Sequence, residues 1–307
     1  MRDVLCTLFE KHYVAGAGTL LNSLAACKFD GLFVLGFRGP APAWLAQCVR
    51  LADGRYRLAG FEIQLVPLDA VKIHFTNYKP QFMRRILAEI VPDAGRIAYI
   101  DPDIVVRAPW RWFQDWLDAG VAVVVDINPY LHRTSPLRAA WRRHFEPAGF
   151  VFGGQLDVNI NGGFVGLTVA RAGFLSEWER AQEVMAPVIG SLATAFPADR
   201  THPFHMTDQD ALNAVLDCTS EELSVLGPEG MDFITGGYVM SHALGSPKPW
   251  KKRYLLSALL GKPPSRADKE YWQHLDGEMR LMSRPRLAMA RALVSLSSLI
   301  GRFWRRG

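Results

Sequence analysis

The sequence predicts an α/β fold, a sheet with helices on its faces, and three observations carry that prediction. Apolar runs at residues 4–10, 32–37 and 61–68 alternate with helix-like segments at 19–27 and 42–51, the order expected when strands run parallel and helices cross over between them. Two further apolar runs follow at 121–125 and 160–168, the first closed by Asp126 and the second opened by Asn159 and Asn161. Of 307 residues, 49% are hydrophobic and 11% aromatic, enough to cover both faces of such a sheet.

The first strand ends in Phe9-Glu10-Lys11-His12-Tyr13 and the second in Arg38-Gly39-Pro40. Ligands of open α/β sheets sit beyond the carboxyl ends of the strands, so the first of these segments is a candidate binding loop. Residues 80–90 read as a helix, with Phe82, Ile86 and Ile90 on one face and Pro80 in the first turn. It leads into 96–106, an apolar strand on which Asp101 and Asp103 stand one residue apart and therefore project the same way. Two carboxylates held that close repel each other, and a divalent cation carrying phosphate oxygens relieves the repulsion. Residues 128–157 read as a long loop carrying Arg133, Arg138, Trp141, Arg142, Arg143 and Phe145. It is either a lid or acceptor loop or a solvated arginine-rich surface. A helix over 174–185 follows, and Thr207 is expected to cap another that opens with Asp208-Gln209-Asp210 and carries Leu212, Val215 and Leu216.

No window approaches the roughly 20 apolar residues of a membrane span, and the N-terminal residues lack the pattern of a secretory signal. Cys6, Cys27, Cys48 and Cys218 form no metal or redox pair, as expected of reduced core thiols in a cytoplasmic protein. The net charge is +5, with the arginines gathered late in the chain. From about residue 266 Met289, Leu293, Leu296, Ile300 and Phe303 recur at helical spacing, with Arg284, Arg286, Arg291, Arg302, Arg305 and Arg306 around them. Such a helix either lies peripherally in an anionic membrane surface or docks on the protein's own core. No nucleic-acid module accompanies the arginines, so nucleic acid is not expected as a partner. The division expected is a unit over 1–265 and a basic amphipathic helical tail over 266–307.

Four segments stand in order: Tyr99-Ile100-Asp101-Pro102-Asp103, Asn159-Ile160-Asn161-Gly162-Gly163, Asp208-Gln209-Asp210, and His242-Ala243-Leu244-Gly245-Ser246-Pro247-Lys248-Pro249-Trp250. Together they resemble glycosyltransferase family 8, nucleotide-sugar transferases of the GT-A fold, over roughly residues 4–252. The resemblance implies a mixed, Rossmann-like sheet and transfer of a hexose from a UDP-sugar, with retention, to a saccharide or glycolipid acceptor. It implies Asp101, Asp103 and His242 as ligands of Mn²⁺, with Mg²⁺ possible, the imidazole favouring Mn²⁺. It implies Lys248 and Gly245 at the diphosphate, Asp126, Asn161, Gly162 and Gly163 at the donor sugar, and Asp208 and Gln209 beside the anomeric carbon. Thr7, Phe9 and Tyr13 stand where relatives hold uracil, and either Lys79 or Arg84 is implied as the basic residue reaching the diphosphate or ribose.

Two other readings compete. A sugar-nucleotide pyrophosphorylase would use Gly16-Ala17-Gly18-Thr19 as a phosphate loop, although Leu20 stands where an arginine is needed. A non-catalytic membrane-surface scaffold would use the basic tail and leave the pocket idle.

Overall fold

The computed structural model describes residues 2–128, 131–154 and 156–303. In chain order the elements are β1 Arg2–Glu10, α1 Val14–Ala26, β2 Leu32–Arg38, β3 Val49–Arg50, β4 Tyr56–Leu58, β5 Phe61–Pro67, α2 Lys79–Arg85, β6 Ala94–Ile100, β7 Ile104–Val106, α3 Trp110–Ala119 and β8 Val121–Val125. Then come α4 Pro136–Phe145, β9 Ile160–Thr168, α5 Gly173–Ile189, α6 Thr207–Cys218, β10 Leu223–Leu226, β11 Met240–His242, α7 Tyr254–Leu259, α8 Arg266–Gln273 and α9 Arg284–Gly301.

Among the described residues nine strands form one sheet in the order β10-β8-β9-β6-β1-β2-β5-β4-β3. β1, β2, β5 and β6 run parallel, while β9 is antiparallel to both β6 and β8. The sheet is therefore mixed rather than purely parallel. Both its faces are buried: Val4, Cys6 and Leu8 of β1 pack into one core with Phe82, Trp141, Trp178 and Leu212. Leu5 and Phe9 turn to the other core, with Leu20, Leu24, Trp110 and Phe113. Period-two alternation on a strand covered on both sides thus reads as one apolar run.

Three expectations and one rival reading are corrected. Residues 96–106 are not one strand: β6 stops at Ile100, Asp101-Pro102-Asp103 forms a turn closed by Ile104 N–H donating to Asp101 O (3.1 Å), and β7 pairs elsewhere. Pro102 has no N–H for a ladder, so the sheet cannot continue through it. Residues 42–51 hold a short 3₁₀ turn at Ala43–Gln47 and a two-residue strand instead of an α-helix. The stretch 128–157 is no structureless lid, because α4 occupies its middle with Arg138, Trp141 and Phe145 buried. Arg138 reaches Asp217 (3.3 Å) and donates to Leu131 O and Val158 O, both side chains being wholly buried. Finally, Gly16-Ala17-Gly18-Thr19 lies inside α1. A Cβ at Gly16 would fall 2.3 Å from Pro102 O, so this glycine serves close packing against the aspartate turn and no phosphate loop exists there.

Tyr254, Tyr271, Trp272, Leu287 and Val294 make a third small core among α7, α8 and α9. The C-terminal helix thus docks on the protein with Leu287 and Val294, while Met289, Leu293, Leu296, Leu299 and Phe303 remain exposed. The core-docking alternative is thus realised on one face of the helix, and the other face is left exposed. Arg305 and Arg306 lie outside the described residues. No described helix is long and apolar enough to cross a membrane.

The buried pair yields a stability prediction. Arg138→Ala strands the Asp217 carboxylate and is expected to lower unfolding free energy by about 3–5 kcal/mol. Arg143→Ala, on the exposed side of α4, should stay within about 0.5 kcal/mol. Denaturant titration of both variants checks the contrast.

Candidate active site

A cleft opens at the carboxyl ends of β1 and β6. One part, about 360 Å³, is lined by Phe9, Glu10, Tyr13, His74, Asp103 and Lys248 among others. The other, about 320 Å³, is lined by Lys79, Asp126, Asn161, Asp208, Gln209 and Phe196 among others. Thr76 and Asp101 line both.

Where the two parts join, Asp101, Asp103 and His242 offer ligand atoms all within 4.8 Å of one another. The chain separation is closed by a two-stranded antiparallel ribbon in which His242 of β11 pairs with Ile104 of β7, the residue after Asp103. Ala243 N–H donates to Asp103 O (3.1 Å), fixing the register. His242 Nε2 stands 3.4 Å from Asp103 and 3.9 Å from Asp101. The imidazole packs against bare backbone, for a Cβ at Gly163 would sit 2.7 Å from His242 Cε1 and 2.8 Å from Asn161 Oδ1. Two carboxylates and an imidazole within that reach could hold a divalent cation. Among the described residues His242 Nδ1 is buried without a hydrogen-bond partner, and Nε2 is the nitrogen that faces the acids.

Lysines balance the acids. Lys248 contacts Asp103 and donates to Ala243 O (2.8 Å). Burial alone would raise the Asp103 carboxyl, but the adjoining His242 ring and Lys248 ammonium hold it well below the usual carboxylate range. Lys79, 2% exposed, donates to Asp208 (2.9 Å) and Gly162 O (2.7 Å) and lies 3.4 Å from Asp101. Burial pulls its ammonium down and the Asp101 and Asp208 carboxylates more than offset that, so its pKa stands above the ordinary lysine value. Tyr99 O–H donates to Asp101 (2.8 Å), and burial together with that carboxylate keeps the phenol protonated far above its usual range.

The inner wall is a hydrogen-bonded set. Asp126 Oδ2 accepts from Asn161 Nδ2 (2.7 Å) and Gln209 Nε2 (3.1 Å), while Gln209 Oε1 accepts from Gly162 N–H (3.4 Å). Each group immobilises the next, leaving Asp208 and Gln209 fixed at the start of α6. At the other end of the cleft, Tyr13 stacks on His12 (centroids 4.7 Å) and meets Trp250 edge-on. Trp250 Nε1–H donates to His12 Nδ1 (3.0 Å), tying the H-x-x-G-x-x-K-P-W segment to the loop after β1. Gly245 has φ of +72° and opens beside the cleft with nothing near its missing Cβ.

Asp101, Asp103, His242, Lys248, Asp126, Asn161, Gly162, Gly163, Asp208, Gln209, Gly245, Phe9 and Tyr13 are thus gathered in one cleft. Thr7 is not: it is buried in the middle of β1 and lines neither part. Of the two basic candidates Lys79 is inside, and Arg84 faces a different groove, paired with Glu179. Tyr99, His74, Thr76 and Phe196 were not singled out from sequence. Only Tyr99 had a signal there, since it lies two residues before Asp101 on an alternating strand.

The sequence matches no protein-family model, and a comparison with curated proteins returns no match. Among solved structures the chain is similar to a crystal structure of an active-site mutant of the glycosyltransferase LgtC, with a TM-score of 0.52 and 15% identity. The match covers 92% of this chain and 98% of that one. The fold is therefore that of a GT-A-like glycosyltransferase: a mixed sheet flanked by helices and followed by a C-terminal helix.

The packing of His242 on Gly163 can be tested. Gly163→Ala should push the imidazole off the two acids and weaken Mn²⁺ binding about tenfold or more. A calorimetric Mn²⁺ titration against the unaltered chain measures the shift.

Proposed function

We propose that this chain is a divalent-metal-dependent hexosyltransferase that moves a hexose from a UDP-sugar to a saccharide or lipid-linked glycan acceptor, as in surface-polysaccharide or lipopolysaccharide synthesis. The observation that carries the reading is the convergence of Asp101, Asp103 and His242 from distant parts of the chain, with Lys248 alongside, in the cleft of a glycosyltransferase-like sheet. A scaffold would have no need to bring buried like charges together at such electrostatic cost.

Asp101, Asp103 and His242 would hold the cation, Mn²⁺ in preference to Mg²⁺, which when bound supplies positive charge to a departing diphosphate. Lys248 from one part of the cleft and Lys79 from the other add two ammonium groups beside the acids. Because negative charge grows on the leaving nucleotide as the glycosidic bond breaks, they stabilise the transition state more than the ground state. Tyr13 offers a ring to stack on the base, and Phe9 borders the same space. Asp126, Asn161, Gly162 and Gly163 line the opposite part, where donor-sugar hydroxyls can bond. Arg84 and Thr7 drop out of the proposed contacts.

Gln209 is a neutral amide tied to Asp126 and the Gly162 N–H, which makes it a poor nucleophile. The configuration-retaining route that fits is a front-face displacement: the bond from sugar to diphosphate breaks, the acceptor oxygen bonds to the anomeric carbon from the same side, and its proton passes to the leaving phosphate oxygen. Asp208, held by Lys79, stands near enough in the same pocket to stabilise the cationic sugar electrostatically.

The division of labour we infer puts catalysis in residues 1–265 and peripheral attachment to a cytoplasmic, anionic membrane surface in residues 266–307, joined by α7. Leu255, Leu256, Leu259 and Leu260 of and just after α7 are exposed like Leu293 and Leu296 of α9, against which α7 packs. Exposed Arg253, Lys262, Arg284 and Arg286 accompany them, an apolar surface with basic residues around it.

Two measurements follow. Incubated with UDP-glucose or UDP-galactose and Mn²⁺, the purified chain should release UDP, and Asp103→Ala should lower the rate at least about 100-fold; no release by the unaltered chain sinks the transferase reading. The double variant Leu259→Glu/Leu293→Glu should lose sedimentation with phosphatidylglycerol vesicles while keeping its UDP-release rate.

A further inference from the structure

The outer part of the cleft contains a side chain that donor chemistry leaves unused. Phe196 is 60% exposed, yet it lines the same pocket as Asp208 and Gln209. An exposed segment between helices is ordinarily free to move, but the backbone leading to this ring is held by buried polar groups, and the ring itself neighbours His205 (centroids 6.2 Å). Asn77, wholly buried, donates through Nδ2 to Leu192 O (3.0 Å) and Thr194 O (2.8 Å). Thr207, also wholly buried, places its hydroxyl 2.8 Å from Asn77 Oδ1 and 2.9 Å from Ala195 O. His74 N–H donates to Leu192 O (2.9 Å).

These anchors are neighbours of the reacting end. Asn77 lies two residues before Lys79, and Thr207 immediately precedes Asp208. The same buried bonds that seat the lysine and the carboxylate therefore fix the backbone leading to Phe196. Satisfying the Leu192, Thr194 and Ala195 carbonyls internally stiffens the segment, since each would otherwise be left unpaired on burial. What results is an apolar ring carried by a held stretch of backbone beside the groups proposed to act at the anomeric carbon.

A pyranose ring has a face of C–H groups and a rim of hydroxyls. An aromatic face can cover the former without stripping water from the latter. Met206 and Leu244 extend the apolar lining, while Asn128 offers polar atoms next to it. We propose, building on the transferase reading above, that Phe196 is a stacking platform for the acceptor sugar, setting which hydroxyl is presented to the donor. Its exposure before the acceptor arrives follows directly, as a free platform has nothing to cover it.

The test uses the full chain loaded with UDP and Mn²⁺, with methyl β-glucopyranoside, methyl β-galactopyranoside and methyl α-mannopyranoside as probes. Binding is read by saturation-transfer NMR. At least one glycoside is expected to receive saturation on one ring face; Phe196→Ala should weaken that binding roughly tenfold, and Phe196→Trp should retain it. UDP and Mn²⁺ affinity, measured by calorimetry, should be the same in all three proteins. Equal glycoside binding in Phe196→Ala, or no glycoside signal from the unaltered loaded chain, overturns the platform while leaving the donor site standing. Failure of UDP with Mn²⁺ to bind the unaltered chain overturns the transferase reading and the platform with it.

Discussion

The cleft depends on one short piece of strand pairing. Ile104–Val106 and Met240–His242 form a two-stranded ribbon apart from the main sheet, and its register puts an imidazole next to two carboxylates that leave the sheet one turn earlier. Ile104, Val105 and Val106 on one side and Met240 on the other are buried, so apolar burial holds this pairing in place. The polar convergence is thus enforced by the hydrophobic effect acting on its neighbours, which is how a protein can assemble groups that would repel one another in isolation. Pro102 is part of the same device. It interrupts the sheet after Ile100, so the second carboxylate is carried out of β6 and into the ribbon.

Lys79 has a complementary role. With its ammonium between Asp101 and Asp208 and bonded to the Gly162 carbonyl, it links α2, the aspartate turn, β9 and α6 at a single buried point. A buried cation with two anionic partners is stable only while both stay in place, so the two halves of the cleft share one electrostatic fastening. The Asp126, Asn161 and Gln209 set is a second fastening, made from neutral amides around one carboxylate. Together they explain why small residues recur here: Gly162 and Gly163 leave the space that Lys79, Asp208 and the His242 ring occupy.

Legibility from sequence varied with the range of the interaction. The strands at 4–10, 32–37 and 121–125 were readable because burial on both faces leaves continuous apolar runs. The Asp101 and Asp103 pair was readable from its spacing, and Asn161, Asp208 and His242 through the resemblance of their segments to the motifs of a nucleotide-sugar transferase family. Arg138 misled for the opposite reason: an arginine among arginines reads as solvated, whereas its burial depends on Asp217, 79 residues away. The choice between Lys79 and Arg84 turned on which side of α2 faces β9 and α6, and helical spacing alone does not say. Phe196 was invisible since nothing in its local context distinguishes an anchored ring from a loose one.

Residue order alone was therefore sufficient for an alternating α/β chain, for the paired carboxylates and for a C-terminal amphipathic helix, because these follow from local periodicity and short-range chemistry, and for the imidazole through the resemblance of its segment to a family motif. Whether those candidates meet, which lysine stands between them, which face of the last helix is covered, and where an exposed aromatic ring is held were decided in three dimensions. Each of those outcomes rests on contacts between segments far apart in the chain, whose register is set by packing that no local pattern encodes.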